Sequence, residues 1–334
     1  MSSVAVTPSP TPFIPAATRR RFLRRNVWGA SIYGVLVLLL IVEKIVHPGL
    51  EAFDFQTLVI ETMPLAFAAM AQASVVLVGG IDLSIGQMMA LVNVVGATYL
   101  VNADLKQAIL ASLAIIAGTA VLGALTGLVI TVSRVPDIIV TLATSFIWYG
   151  LALHVMSTPG GGVGSTEFSD LVNGEIGTWL PEGVVVVAAV LLVVWLPWYR
   201  SKLGLSVYAL GSDRTAAFLS GVRVARTRIA AYALGGVFAA LAGLALLCET
   251  LQGDPNSASN FTLNSVAAVV LGGVSLAGGR GGMLGPVAAA FVLNIIGAIM
   301  GFLKVNPNYA VVIQGAIVVL VVLLAATLTL RRRT

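Results

Sequence analysis

Residues 107–132 read QAILASLAIIAGTAVLGALTGLVITV, an unbroken run without one charged side chain, bounded by Lys106 and Arg134. About 20 such residues coiled as an α-helix cross the hydrocarbon core of a bilayer, so this stretch has the length and chemistry of a membrane span. Reading outward in both directions, the same pattern recurs at about 27–46, 58–79, 84–101, 137–157, 182–198, 229–250, 262–278, 283–303 and 309–329. Charge is confined almost entirely to the gaps. The whole chain agrees with its parts: 58% of residues are hydrophobic and 10% charged, where a soluble domain carries about 25% charged residues. The expected fold is all-α, a polytopic helical membrane protein of about ten transmembrane helices.

The charges also orient it. With the N-terminus in the cytoplasm, all but three of the 19 Lys and Arg residues fall on inner segments, at 1–26, 80–83, 133–136, 199–228, 279–282 and 330–334. The outer side keeps Lys44, Lys106 and Lys304. This is the positive-inside distribution, and it places both termini in the cytoplasm. The closing Arg331, Arg332 and Arg333 support an even span count. The net charge of +5 therefore records membrane orientation, and no basic surface laced with aromatics points to nucleic acid. Residues 1–26 are expected to form a cytoplasmic, largely disordered tail, ahead of one permease domain over 27–330. Arg19-Arg20-Arg21-Phe22-Leu23 resembles a twin-arginine export signal, but such signals deliver soluble domains and none follows.

Catalysis and metal binding find little here. Cys248 is the lone cysteine, and His47 and His154 are the only histidines, too few for a thiolate or multi-histidine metal site. The glycine-rich Gly278-Gly279-Arg280-Gly281-Gly282 lacks the Lys-Ser/Thr of a nucleotide P-loop and follows no strand. It reads as a tight turn at the inner surface with Arg280 facing the cytoplasm. No catalytic constellation is expected, and no cofactor is expected in this chain.

Polar residues inside the spans are more informative. Gly79-Gly80-Ile81-Asp82-Leu83-Ser84 joins two apolar runs with too few residues for an exposed loop. Irregular backbone at membrane depth requires protein or water around it, and an ionisable residue there is a functional candidate. The plainer alternative has Asp82 capping the next helix. Gln72, Asn93, Thr141, Ser145 and Asn294, with Gly79, Gly80, Asp82 and Ser84, make up the candidate translocation or gating set. Uncharged groups suit a neutral hydroxylated solute better than an ion. Gly123 and Gly127, and Gly297 and Gly301, have the four-residue spacing that lets membrane helices approach closely.

The largest inner segment, 199–228, carries a pattern for a short amphipathic helix, broken by Gly211 and ended at Gly221. Such a helix lies on lipid or docks into a cytoplasmic protein.

Three stretches together resemble the permease subunits of bacterial ATP-binding-cassette sugar importers of the ribose, xylose and galactose type. They are Val78–Gly86 followed by Met89-Ala90-Leu91, Gly204–Val222, and Ala267–Gly281. The resemblance spans about residues 30–328. It departs at Thr262-Leu263-Asn264, where many relatives carry Glu-Leu-Asp, and at Thr141-Leu142-Ala143-Thr144, where a Thr-Leu-Gly stretch is common.

The resemblance implies an inner-membrane location and three protein partners: a cytoplasmic ABC ATPase that holds ATP and Mg, a periplasmic solute-binding protein, and a second permease copy forming a homodimer. It further implies that residues 207–221 are the segment coupled to the ATPase, which singles out Tyr208, Leu210, Gly211, Asp213, Ala216, Leu219, Ser220 and Gly221. A branched-chain amino acid permease is the related alternative. A gradient-driven secondary transporter would require titratable residues in mid-span and no docking segment.

Overall fold

The computed structural model describes residues 16–306 apart from 50, 178 and 179, and six positions between 309 and 319. Side chains are described from residue 31 onward. Residues 1–15 of the expected 1–26 tail, most of the tenth span and the closing arginines lie outside the described residues, while residues 16–26 of that tail are helical as the start of the first helix.

Regular structure is almost wholly helical. In chain order it comprises α1 (Ala16–Val46), α2 (Ala52–Val76), α3 (Ile85–Leu100), α4 (Leu105–Ser133), α5 (Asp137–Val155), α6 (Thr166–Asn173), a hairpin of β1 (Glu175–Ile176) with β2 (Leu180–Pro181), and α7 (Glu182–Val190). A π-helical turn, Leu191–Trp195, continues α7 into α8 (Leu196–Arg200). Then follow α9 (Lys202–Ser212), α10 (Arg214–Leu219), α11 (Val224–Thr250), α12 (Phe261–Leu271) and α13 (Leu284–Phe302). Helix α1 begins ahead of the expected span start at 27.

Among the described residues, six helical stretches are long and apolar enough to cross a membrane: 52–76, 105–133, 137–155, 182–200, 224–250 and 284–302. They differ sharply in burial. The apolar window of α2 is 89% buried, whereas that of 182–200 is 17% buried. Helix α2 is thus the core of the bundle, with α3, α11, α12 and α13 packed around it. Helices α4 and α5 and the 182–200 stretch leave broad apolar faces open, including Val121, Phe146 and Val193. In water those faces would be untenable; in lipid they are solvated.

The glycine pairs divide. Helix α11 lies along α4, and a Cβ on Gly127 would sit 3.0 Å from the Tyr232 Cβ, while one on Gly123 would collide with the Tyr232 carbonyl. Bare backbone at these positions permits the close crossing. Gly297 and Gly301 face open space within this chain.

Two helices are too short to span. At 1.5 Å per residue, α3 is about 24 Å long and α12 about 17 Å, against about 30 Å of hydrocarbon. The expected eighth span, 262–278, is therefore corrected to a half-length helix that stops at Leu271, because the Gly272-Gly273 pair ends it. The two short helices begin beside each other inside the bundle: the Gly86 amide donates to Thr262 Oγ1 at 3.2 Å. Residues 251–260 reach that depth by running down along α3, where the Asp254 amide donates to Asn93 Oδ1 at 2.8 Å.

At the end where α3 finishes, two connections form one cap. Gly160 and Gly253 exchange both backbone hydrogen bonds at 2.9 Å, and Tyr149 donates to Asn256 Oδ1 at 2.8 Å. The 158–181 gap between the fifth and sixth expected spans contains α6. Its start is set by Ser165, whose Oγ accepts from the Phe168 amide.

Candidate functional site

The site is built around the break between α2 and α3. Helix α2 ends as the amides of Gly79 and Gly80 turn back to the carbonyls of Val76 and Val75. From there residues 81–84 run non-helically inside the bundle, where their backbone groups must find partners other than a ladder. Gln72, one helix turn above the break, supplies two: its amide donates to the Asp82 carbonyl at 2.8 Å and accepts from the Asp82 N–H at 3.3 Å. Thr141 on α5 supplies two more, accepting from the Leu83 amide at 3.1 Å and donating toward the Ile81 carbonyl at 3.3 Å.

The Asp82 side chain is buried, and its Oδ1 accepts from both the amide (2.8 Å) and the hydroxyl (2.6 Å) of Ser84. Ser84 is itself the N-cap of α3. The capping reading is thereby refined: Asp82 closes a tight turn that orients the cap residue and leaves the helix amides beyond Ser84 to others. One of those, Gly86, is taken by Thr262.

Below the break lies an ionic cluster that the sequence reading missed. Asp137, at the start of α5, pairs with Arg228 and accepts from the Tyr232 hydroxyl at 2.8 Å. Gly80 lies against this cluster, since a Cβ there would fall 2.8 Å from the Tyr232 oxygen and collide with the Asp137 carboxylate. The available signal was a lone acid after Pro136 at a span edge, with Arg228 and Tyr232 four apart at another.

The three stretches that carry the family resemblance converge at a second junction. The Gly279 amide donates to the Leu77 carbonyl at 3.0 Å. Gly211, in α9, sits so close to both that any Cβ would strike the Leu77 carbonyl and the Gly279 amide. Gly279 holds a left-handed backbone (φ +67°), and its Cβ would lie 2.7 Å from Ser212 Cα. Ser212 Oγ donates to the Tyr208 carbonyl at 2.8 Å, and the Tyr208 hydroxyl donates to the Gly281 carbonyl at 3.0 Å. Burial, with Tyr199 alongside, holds the Tyr208 phenol above the ordinary tyrosine range, so it remains a donor. The glycine turn at 278–281 is therefore a contact surface for α9, and Arg280 is exposed.

The amphipathic segment forms, with a corrected break. Helix α9 runs through Gly211 and stops at Asp213, which adopts extended backbone and caps α10 by accepting from the Ala216 amide at 2.9 Å. Gly221 follows the end of α10 in left-handed conformation. Val207, Leu210 and Ala217 are buried against the protein, while Ala216, Phe218, Leu219 and Ser220 are exposed.

The remaining candidates are structural hydrogen-bonding groups within this chain. Asn93 is fully buried and holds the 251–260 segment. Asn294 joins α13 to α2 through the Glu61 carbonyl at 2.9 Å and Thr62 Oγ1 at 3.1 Å. The Ser145 hydroxyl donates to the Leu142 carbonyl of its own helix. Among the described residues, no group of three His, Cys, Asp or Glu side chains could hold a metal ion.

Comparison with known proteins fits a chain built this way. The ribose import permease protein RbsC of Escherichia coli K12 is 31% identical over 297 residues, covering 88% of this chain and 92% of that protein. The RbsC protein of Bacillus subtilis is 31% identical over 294 residues (86% and 90%), and the galactose/methyl galactoside import permease protein MglC of Haemophilus influenzae is 30% identical over 309 residues (87% and 92%). No solved structure matches. The model of one family, described as the branched-chain amino acid transport system/permease component, matches residues 55–322. With that match over most of its length, and with apolar helices long enough to cross a bilayer, this chain belongs to that permease family as a multi-pass protein of the inner membrane.

Proposed function

We propose that this chain is the membrane-spanning subunit of an ATP-binding-cassette importer that passes a monosaccharide into the cytoplasm by alternating access. The ribose and galactose import permeases among its relatives support a sugar over an amino acid. In this reading both termini are cytoplasmic, two copies of the chain form a homodimer, and a periplasmic binding protein delivers solute to the cap formed by 158–181 and 251–260. A separate cytoplasmic ATPase carries ATP and Mg and engages α9–α10, through the exposed Ala216, Leu219 and Ser220.

One observation carries the mechanism: α9 touches both helix breaks directly, through backbone at Gly211, Leu77 and Gly279. Close-packed backbone does not absorb displacement as a flexible side chain would. A push on α10 is therefore passed to residues 77–84 and 272–283 together, and with them to the starts of α3 and α12. Gln72, Thr141 and the Asp82–Ser84 turn keep the first of these segments in one shape as it moves. The chain's role is positioning and gating; hydrolysis belongs to the partner.

The test is Gly211→Leu in the full complex, reconstituted with binding protein and ATPase. ATP hydrolysis is expected to persist while sugar uptake falls to background. ATP-driven uptake at the wild-type rate in an assembled Gly211→Leu complex would overturn the reading. Competition of labelled ribose uptake by galactose, and not by leucine, would fix the solute class.

A further inference from the structure

A cavity of about 1130 Å³ opens between the α4–α5 turn, α10 and the start of α11. Five arginines line it, Arg134, Arg214, Arg223, Arg226 and Arg228, against one carboxylate, Asp137. That carboxylate is already taken by Arg228 and Tyr232. Among the described residues the only other ion pair is His47 with Asp54, so four guanidinium groups share one concavity without a carboxylate partner. Like charges gathered around a space make that space favourable for an anion. Planar guanidinium forks match the paired oxygens of a phosphate, as they do those of a carboxylate, and the apolar wall beside them favours a phosphate carried by an amphiphile.

The rest of the wall is apolar. Val135, Pro136 and Phe218 line the cavity beside the arginines, and Val132, Ile138 and Ile139 project outward close by on α4 and α5, each well exposed. A soluble phosphate would use only the basic half of this surface. An amphiphile would use both. Basic pockets between membrane helices on the cytoplasmic side are suited to phospholipid headgroups for this reason.

We infer that this cavity binds a phosphate group, and that the apolar rim selects one carried by an anionic phospholipid of the adjoining leaflet. The bound phosphate is held by Arg134, Arg223 and Arg226, offsetting part of their mutual repulsion, and lies between α10 and the Asp137 carboxylate that backs Gly80. The site does not depend on what the permease transports. Only the identity of the leaflet rests on the orientation proposed above.

The experiment is native mass spectrometry of the full-length protein released from nanodiscs holding phosphatidylglycerol and phosphatidylcholine of matched chains. Phosphatidylglycerol should survive activation on the wild type about tenfold more often than phosphatidylcholine. The preference should vanish in the double variant Arg223→Gln/Arg226→Gln and persist in Arg200→Gln/Lys202→Gln, which lies outside the cavity. Inorganic phosphate is the second arm. If it raises the melting temperature of the wild type but not of the first double variant, with no lipid preference, the source is a soluble phosphate. Equal retention of both lipids by the wild type, with no response to phosphate, overturns the proposal. Loss of a co-purifying ATPase from the double variant in that case would assign the cavity to an acidic protein surface. Should the double variant misfold, Arg134→Gln alone and the wild-type lipid comparison decide the question.

Discussion

The two helix breaks solve one problem by opposite means. At 77–84 the freed backbone is held by side chains reaching in from elsewhere: Gln72 and Thr141 clasp Asp82, Leu83 and Ile81, and Asp82 clasps Ser84. At 272–283 the chain closes on itself, with Ser275 bonded to Arg280 and Gly278 to Ser275, and lets bare glycine backbone fit against α9. One break is specified by hydrogen-bonding groups and the other by absent carbons. The first should be sensitive to lost polarity, the second to added volume.

Gly279→Val strikes the shape-held break. A β-branched residue at φ +67°, with its Cβ against Ser212, should cost about 4 kcal/mol or more. The complex should melt far below the wild type in detergent and transport nothing; a wild-type melt would erase the distinction between the breaks. Gln72→Leu strikes the other one. It keeps the volume and strands the Asp82 N–H and C=O, a loss of about 3 kcal/mol, visible as a lower melting temperature and faster hydrogen exchange at 81–84. Thr141→Val repeats that test with a nearly isosteric side chain and should cost about 1–2 kcal/mol. Partial recovery by Thr141→Ser would tie the effect to the hydroxyl. Asp82→Asn keeps an acceptor for Ser84 and should cost less than about 1 kcal/mol. Uptake lost at an unchanged melting temperature would assign the Asp82 charge a role in gating beyond the turn.

How far the sequence was legible follows the same division. Apolar runs such as 107–132 declare themselves because lipid leaves a helix few other choices, and α4, α11 and α13 fall close to the expected bounds. The Gly79–Ser84 break was readable because six residues cannot make an exposed loop between two spans. The half-length of α12 was not, since Val274, Leu276 and Ala277 are as apolar as a helix continuing into the membrane. Gly211 was read as a helix breaker because its local cost is known; its actual place, inside α9 against Leu77 and Gly279, depends on contacts distant in sequence. Asp137, Arg228 and Tyr232 were missed for a like reason, as 91 residues separate the ion pair. The polar residues inside spans stand out by composition alone. Most turned out to join segments to one another, which composition alone does not distinguish from lining a path.

The short length of α12 also bears on how the protein is made. A segment of 11 residues reaches little more than halfway across the hydrocarbon on its own, so it offers the insertion machinery no independent span to release into lipid. Its N-terminal end rests on Gly86 of α3, and its C-terminal end rests on elements synthesised both before and after it. Residues 251–283 must therefore wait in a sheltered setting until α13 has been translated and can close over them. On this geometry a late segment is seated into an earlier bundle, so a chain truncated before Leu284 should leave α12 more accessible to water-borne labels than the full chain does.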